Sequence, residues 1–282
     1  MRSKEDFNRR LAYNYIPQTI GILYDIFKFI SLEETSDPMK VIIDDIAEVL
    51  RVTDVDTMLL NYNDHGKNND PILHFYETFL NEYDPGLREK RGVYYTPQPV
   101  VKYIVDSVHT VLQSSFGLGD GLASSNVTLL DPAAGTLTFP AEATKKAVQY
   151  FIATYGDGGV SNYIKTHILK NFYAFELMMA PYVIGHLKMS FVFEEFGYIL
   201  TNDERFKLYL TNSLEMEDYE GSQIPILSSL SEESHFAIQV KKDPILIIIG
   251  NPPYSGMSAN TNKWTEKLLK EDFDNLQSYY TV

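Results

Sequence analysis

The chain has 282 residues, 44% hydrophobic and 22% charged, with a formal net charge of −14 and no cysteine. That is the composition of an ordinary soluble protein with room for a sizeable core; the lack of cysteine excludes disulfides and thiolate chemistry, and no apolar run approaches the length of a membrane span. So acidic a balance also argues against a chain that grips nucleic acid over its whole surface, because phosphate contacts supply most of that affinity. No signal-peptide pattern follows Met1, so the expected location is cytoplasmic.

Residues 1–88 read as a helical domain with polar breaks. Ile20, Leu23, Tyr24, Phe27 and Ile30 fall at helical spacing, and Val41 to Leu50 continue in kind after Asp37-Pro38. Residues 61–70 are polar and loop-like, a helix is expected over 71–83, and Asp84-Pro85-Gly86 marks the boundary. Thr96 before Pro97 reads as a helix N-cap with proline at the first position, followed by an apolar stripe from Val100 to Leu112. Gly117 to Gly121 reads as a surface loop.

From there the pattern turns to strands alternating with helices. Val127 to Leu130 form a strand ending in Asp131-Pro-Ala-Ala-Gly135, with a helix from about Pro140 to Tyr155. Phe172 to Phe175 end in Glu176 and lead to a helix over about 180–196. Lys207 to Leu210 end in Thr211-Asn212. Residues 217–240 look polar and irregular, an insertion or long loop. Ile245 to Ile249 read as a strand buried on both faces, closed by Gly250-Asn-Pro-Pro-Tyr254, and 264–273 suggest a last helix. Alternation of this kind predicts an α/β fold with a mainly parallel sheet. The six histidines show no metal-ligand spacing.

Ligands of such sheets lie beyond the carboxyl ends of the strands. Asp131, Glu176, Asn212 and Asn251 each stand at such an end and should share one edge. A nicotinamide site would show G-x-G-x-x-G and an acid about 20 residues on; here the turn is Asp-Pro-Ala-Ala-Gly and the acid lies further along. A carboxylate that reads a ribose, with no diphosphate site, points to S-adenosylmethionine.

Asp131-Pro-Ala-Ala-Gly135, Glu176 and Asn251-Pro-Pro-Tyr254, in that order, resemble the adenine-N6 DNA methyltransferases that place the cofactor motif before the catalytic one, the gamma-type order. Gly92-Val-Tyr-Tyr-Thr-Pro97 is similar to the extra cofactor motif of that group. Residues 70–85 and Phe175-Glu-Leu-Met-Met-Ala-Pro-Tyr182 resemble the single-polypeptide restriction–modification enzymes, in which a helical coupler joins a nuclease–helicase motor to the methyltransferase. The resemblance implies a Rossmann-like S-adenosylmethionine-dependent sheet in 89–282, behind the helical coupler of 1–88. It implies Asn251, Pro252, Pro253 and Tyr254 for a flipped-out adenine, and Tyr94, Thr96, Pro97, Asp131, Ala133, Gly135, Glu176 and Asn212 for the cofactor. Double-stranded DNA is the implied partner. The Asn-Pro-Pro-Tyr signal is shared with methyltransferases of protein glutamine, and a non-catalytic docking subunit is the other alternative.

Two departures carry expectations. The related turn usually has glycine at position 137 and leucine at position 140, where this chain has Leu137 and Pro140, and a leucine side chain at 137 is expected to crowd the ligand. The usual seven-stranded sheet and target-recognition domain do not follow the fourth strand, so the sheet is expected to be incomplete and the DNA-gripping part to lie elsewhere.

Overall fold

In three of the four strands, neighbouring apolar residues point to opposite faces and find different partners. Leu129, Phe172, Ala174, Leu208 and Leu210 join one core, and Leu130, Tyr173, Phe175 and Tyr209 join another. The period of two comes from the pleat, and it makes this a sheet covered on both sides. The computed structural model describes residues 8, 19–32, 37–54, 96–214 and 225–252. The helix expected over 71–83, the loop and boundary around it, Tyr94, Pro253, Tyr254 and the helix expected over 264–273 lie outside the described residues.

Within them, helices α1 (Gly21–Leu32), α2 (Asp37–Val52) and α3 (Gln98–Ser115) precede strand β1 (Leu129–Asp131). Helix α4 (Thr138–Tyr155) leads to the short helix α5 (Val160–Tyr163), which continues through a π turn over Ile164–Ile168 and a last turn over Leu169–Asn171. Strand β2 (Phe172–Glu176), α6 (Met179–Glu195), β3 (Lys207–Leu210), α7 (Pro225–Lys242) and β4 (Ile247–Ile248) complete the order. The strands are parallel in the order β3-β2-β1-β4, with Asp131 opposite Ala174 and Glu176 opposite Leu210. Helices α3 to α6 cover one face and α7 the other. Ile20, Ile22 and Leu23, at the start of α1, belong to the larger core rather than to a separate one.

Three expectations are corrected. Residues 225–242 form a helix, not an irregular insertion. Its buried face carries Ser229, Glu233 and Ser234 beside Ala237, Ile238 and Val240, so polar groups hide the helical period. Two of them have partners across the packing: Ser229 donates to Asp25 of α1, and Glu233 pairs with Arg205 at 2.5 Å and accepts the Leu210 N–H at 3.2 Å. Removing one partner of such a buried pair typically costs about 3–5 kcal/mol. Strand β4 is not buried on both faces: Ile247 and Ile249 are buried, but Ile248 is 70% exposed, because β4 is the edge strand of the described sheet. Finally, the stretch after Gly117 is only partly at the surface. Gly121, Leu122 and Ala123 are buried, and two buried histidines clasp Leu122, His109 Nδ1 at its N–H and His167 Nε2 at its carbonyl.

Candidate active site at the strand ends

Strand β1 delivers Asp131 to the edge and then turns sharply. Asp131 Oδ1 accepts the N–H of Ala133 at 3.1 Å, while the carboxylate itself is 1% exposed. Burial pushes this carboxyl up to about 7, and the charge of Glu176 adds to the effect; the bond from Ala133 opposes it. The turn continues onto β2: the Ala134 N–H reaches the Phe175 carbonyl at 2.9 Å, and the Gly135 N–H reaches Glu176 Oε2 at 2.8 Å. The other oxygen of Glu176 accepts the Met178 N–H at 2.7 Å. One carboxylate thus ties the turns after β1 and β2 together. At Gly135 a Cβ would meet nothing within 4 Å, so the turn opens onto space on that side.

Leu137 lies where crowding of the ligand is expected, and the structure corrects this. Its backbone is left-handed, φ 61 and ψ 37, which turns the side chain inward at the start of α4. The side chain is fully buried in the larger core. There it lies over Gly185 of α6, where a Cβ would come within 2.9 Å of Leu137 Cγ and 3.0 Å of Leu208 Cδ2. The bulk that sequence comparison places at the turn is housed by a glycine 48 positions further on. Pro140 is buried inside the first turn of α4, where a missing N–H breaks no helical bond.

The β3 exit folds back toward the same edge. Ser213 donates to the carbonyl of Pro132, Asn212 Oδ1 accepts the Leu214 N–H at 3.1 Å, and the Asn212 carbonyl accepts from Lys241 Nζ at 2.9 Å. The β4 exit lies beside β1. At Gly250 any side chain would run into the Asp131 carboxylate, so only glycine brings the next residue this close to the buried acid.

Asn251 follows, half-buried, and donates from Nδ2 to Thr96 Oγ1 at 3.0 Å. Thr96 is therefore not the cap of α3. The N-cap is Pro97, without a side-chain bond, and the proline in the first turn is Pro99. A cap needs its side chain folded over the helix start, and that of Thr96 is committed to Asn251.

The edge thus brings together Thr96, Asp131, Ala133, Gly135, Glu176 and Asn251, with Pro252 following and Asn212 on the β3 exit. Pro97 heads α3 and is exposed. Sequence reasoning missed Gly250, Ser213 and Gly185. Gly250 carried a signal, as a glycine between an apolar strand and the Asn-Pro-Pro-Tyr loop; the other two carried none.

The family model described as N-6 DNA Methylase matches residues 67–279. Among solved structures, the chain is similar to DrdV in its DNA complex, seen by electron cryomicroscopy, at 20% identity and a TM-score of 0.61, over 95% of this chain and 24% of that one. It is similar to a nuclease-deletion mutant of the Type ISP restriction-modification enzyme LlaGI in complex with a DNA substrate mimic, at 22% identity and a TM-score of 0.61, over 97% and 20%. The ATP-dependent Type ISP restriction-modification enzyme LlaBIII bound to DNA is similar at 20% identity and a TM-score of 0.54, over 97% and 21%. At such identities the likeness is one of fold, and the chain spans about a fifth to a quarter of the length of these proteins. Among curated proteins, none matches.

Proposed function

The chain belongs to the N-6 DNA methylase family, and on that premise we propose that it carries the adenine-N6 methyl-transfer site of a restriction–modification enzyme, using S-adenosylmethionine on double-stranded DNA. The observation that carries the reading is Asn251: a carboxamide at the exit of the edge strand, beside the buried Asp131 turn and gripped by Thr96 from the segment that leads into α3.

The residues present fit a nucleoside cofactor. The turn is open at Gly135, and Glu176 places a carboxylate, an acceptor suited to ribose hydroxyls, at the end of β2. Tyr94, Thr96, Pro97, Asp131, Ala133, Gly135, Glu176 and Asn212 would hold it. S-adenosylmethionine, when bound, supplies an electrophilic methyl group on a sulfonium. Asp131, sealed from solvent, works from beneath by shaping the turn.

On the substrate side the difficulty is nucleophilicity. The exocyclic amine of adenine delocalises its lone pair into the ring. Asn251 Oδ1 and the Pro252 carbonyl can each accept one amine hydrogen, which localises that pair and aims it. No strong base is needed, because the methylated amine is cationic and acidic and passes its extra proton to water. The Pro252-Pro253 pair stiffens the loop, and Tyr254 stacks on the flipped base. The net charge of −14 is reconciled if a target-recognition domain grips the duplex. Nuclease or helicase parts would complete the system, residues 1–88 would serve as coupler, and cytoplasmic DNA would be the setting.

Calorimetry with S-adenosylmethionine should show one site per chain, lost in Glu176→Ala. Labelled methyl should pass to an adenine duplex and not to one already N6-methylated. Absence of binding at millimolar ligand would reject the cofactor, and labelling of a glutamine peptide instead of DNA would reject the substrate.

A further inference from the structure

We propose that Thr96 is a positioning residue for Asn251: its hydroxyl holds the carboxamide by the Nδ2 end and so presents Oδ1 to the substrate amine. The purpose assigned to Oδ1 rests on the methyl-transfer reading above; the grip itself does not.

A carboxamide has two ends of opposite character, and its terminal torsion is broad and roughly two-fold. Only the oxygen end can accept an amine hydrogen; the NH2 end would face donor to donor. An unanchored asparagine therefore spends part of its time turned the wrong way. Here Nδ2 is engaged at 3.0 Å by Thr96 Oγ1, across 155 residues of sequence.

The anchor is itself fixed. Helix α3, two residues on, buries Val101 and Val105 completely, and Gln98 bonds Glu142 of α4 at 2.8 Å while Asp106 pairs with Lys146 of α4 at 2.6 Å. The Pro97 carbonyl already closes the first turn, accepting from the Val100 and Val101 N–H groups at 2.9 and 3.2 Å. Helix formation therefore makes no demand on the Thr96 side chain. On the other side, Gly250 rests against the Asp131 carboxylate. The segment between β4 and the proline pair is thus held at two points, by the backbone of Gly250 and by the side chain of Asn251.

The test uses the full chain with Thr96→Val, which keeps shape and removes the hydroxyl, and Thr96→Ser, which keeps the hydroxyl. At saturating S-adenosylmethionine, single-turnover methyl transfer to an adenine duplex should slow about tenfold in Thr96→Val and recover to within about twofold in Thr96→Ser, so that the loss is in the chemical step and not only in cofactor affinity. The side-chain amide resonances of Asn251, identified by their loss in Asn251→Asp, should shift in Thr96→Val and return in Thr96→Ser.

An unchanged rate at saturating cofactor would confine Thr96 to cofactor binding and overturn the proposal. Unmoved amide resonances would do the same. If wild type transfers no methyl to adenine, the function proposed above falls, and the amide resonances still decide whether Thr96 holds Asn251.

Discussion

The β1 exit and the β4 exit meet at the same edge but are built on opposite principles. The turn after β1 is held through three successive backbone N–H groups: those of residues 133, 134 and 135 all find acceptors within Asp131 and strand β2, and Leu137 locks the turn into the core. The exit of β4 follows a two-residue edge strand with one exposed isoleucine, and its Asn251 carboxamide is gripped by Thr96, just ahead of α3. The first is a packed cradle whose residues serve stability as much as function. The second is lightly anchored, so changes there should alter chemistry and leave the fold nearly untouched.

The largest expected effect tests the cradle through pH. The Asp131 carboxyl titrates at about 7 when folded and near 3.8 when unfolded. The folded state therefore keeps a proton that the unfolded state gives up, and stability falls as pH rises from about 4 to about 7, then levels off. The full span would be roughly 4 kcal/mol. Other carboxylates run the other way: Glu204 is held at about 2 by bonds from Lys165 and Thr201 that outweigh its burial. The reading must thus be a difference. Urea midpoints of wild type and Asp131→Asn should diverge steadily between pH 4 and 7 in favour of the variant. Parallel curves would show that the acid is not buried in the working fold.

The lightly anchored exit should answer differently. Asn251→Ala is expected to cut methyl transfer about 100- to 1,000-fold, the cost of losing one placed hydrogen-bonding group in a transition state. Its urea midpoint should move by less than the equivalent of about 0.5 kcal/mol, because little packing is lost. A large loss of stability would erase the contrast between the two exits.

How much of this was legible in the sequence depends on where each signal resides. Strands β1 to β3 and the polar residues at their ends were legible because apolar runs and the polar residues that close them are local. The α7 helix was not, because Ser229, Glu233 and Ser234 occupy the face where apolar residues would reveal the period. Thr96 was assigned to the right edge for a different purpose: a Thr-Pro pair reads locally as a cap, whereas its partner stands 155 residues away. Leu137 misled for the same reason. A left-handed turn position asks for glycine, and the glycine that resolves the conflict belongs to another helix.

That pairing yields the next effect. Leu137→Gly should relieve about 1–2 kcal/mol of left-handed backbone strain but forfeit a buried leucine worth about 2–5 kcal/mol. A net loss of about 1–3 kcal/mol is expected by thermal melts, with no tightening of S-adenosylmethionine in calorimetry. Tighter binding would mean that the side chain does project toward the ligand.

The smallest effect probes the pair from its other member. In Gly185→Ala the new methyl would lie 2.9 Å from Leu137 Cγ and 3.0 Å from Leu208 Cδ2. Both neighbours are fully buried and cannot swing aside, so overpacking should cost about 1–3 kcal/mol, from which the helix preference of alanine returns up to about 1 kcal/mol. The sum is a modest destabilisation. Shortening Leu137 should remove the clash, so the double variant Leu137→Ala/Gly185→Ala should melt above the value expected from adding the two single losses. Strict additivity would place the Leu137 side chain away from Gly185 and return it to the mouth of the cradle, where it would contact the cofactor after all.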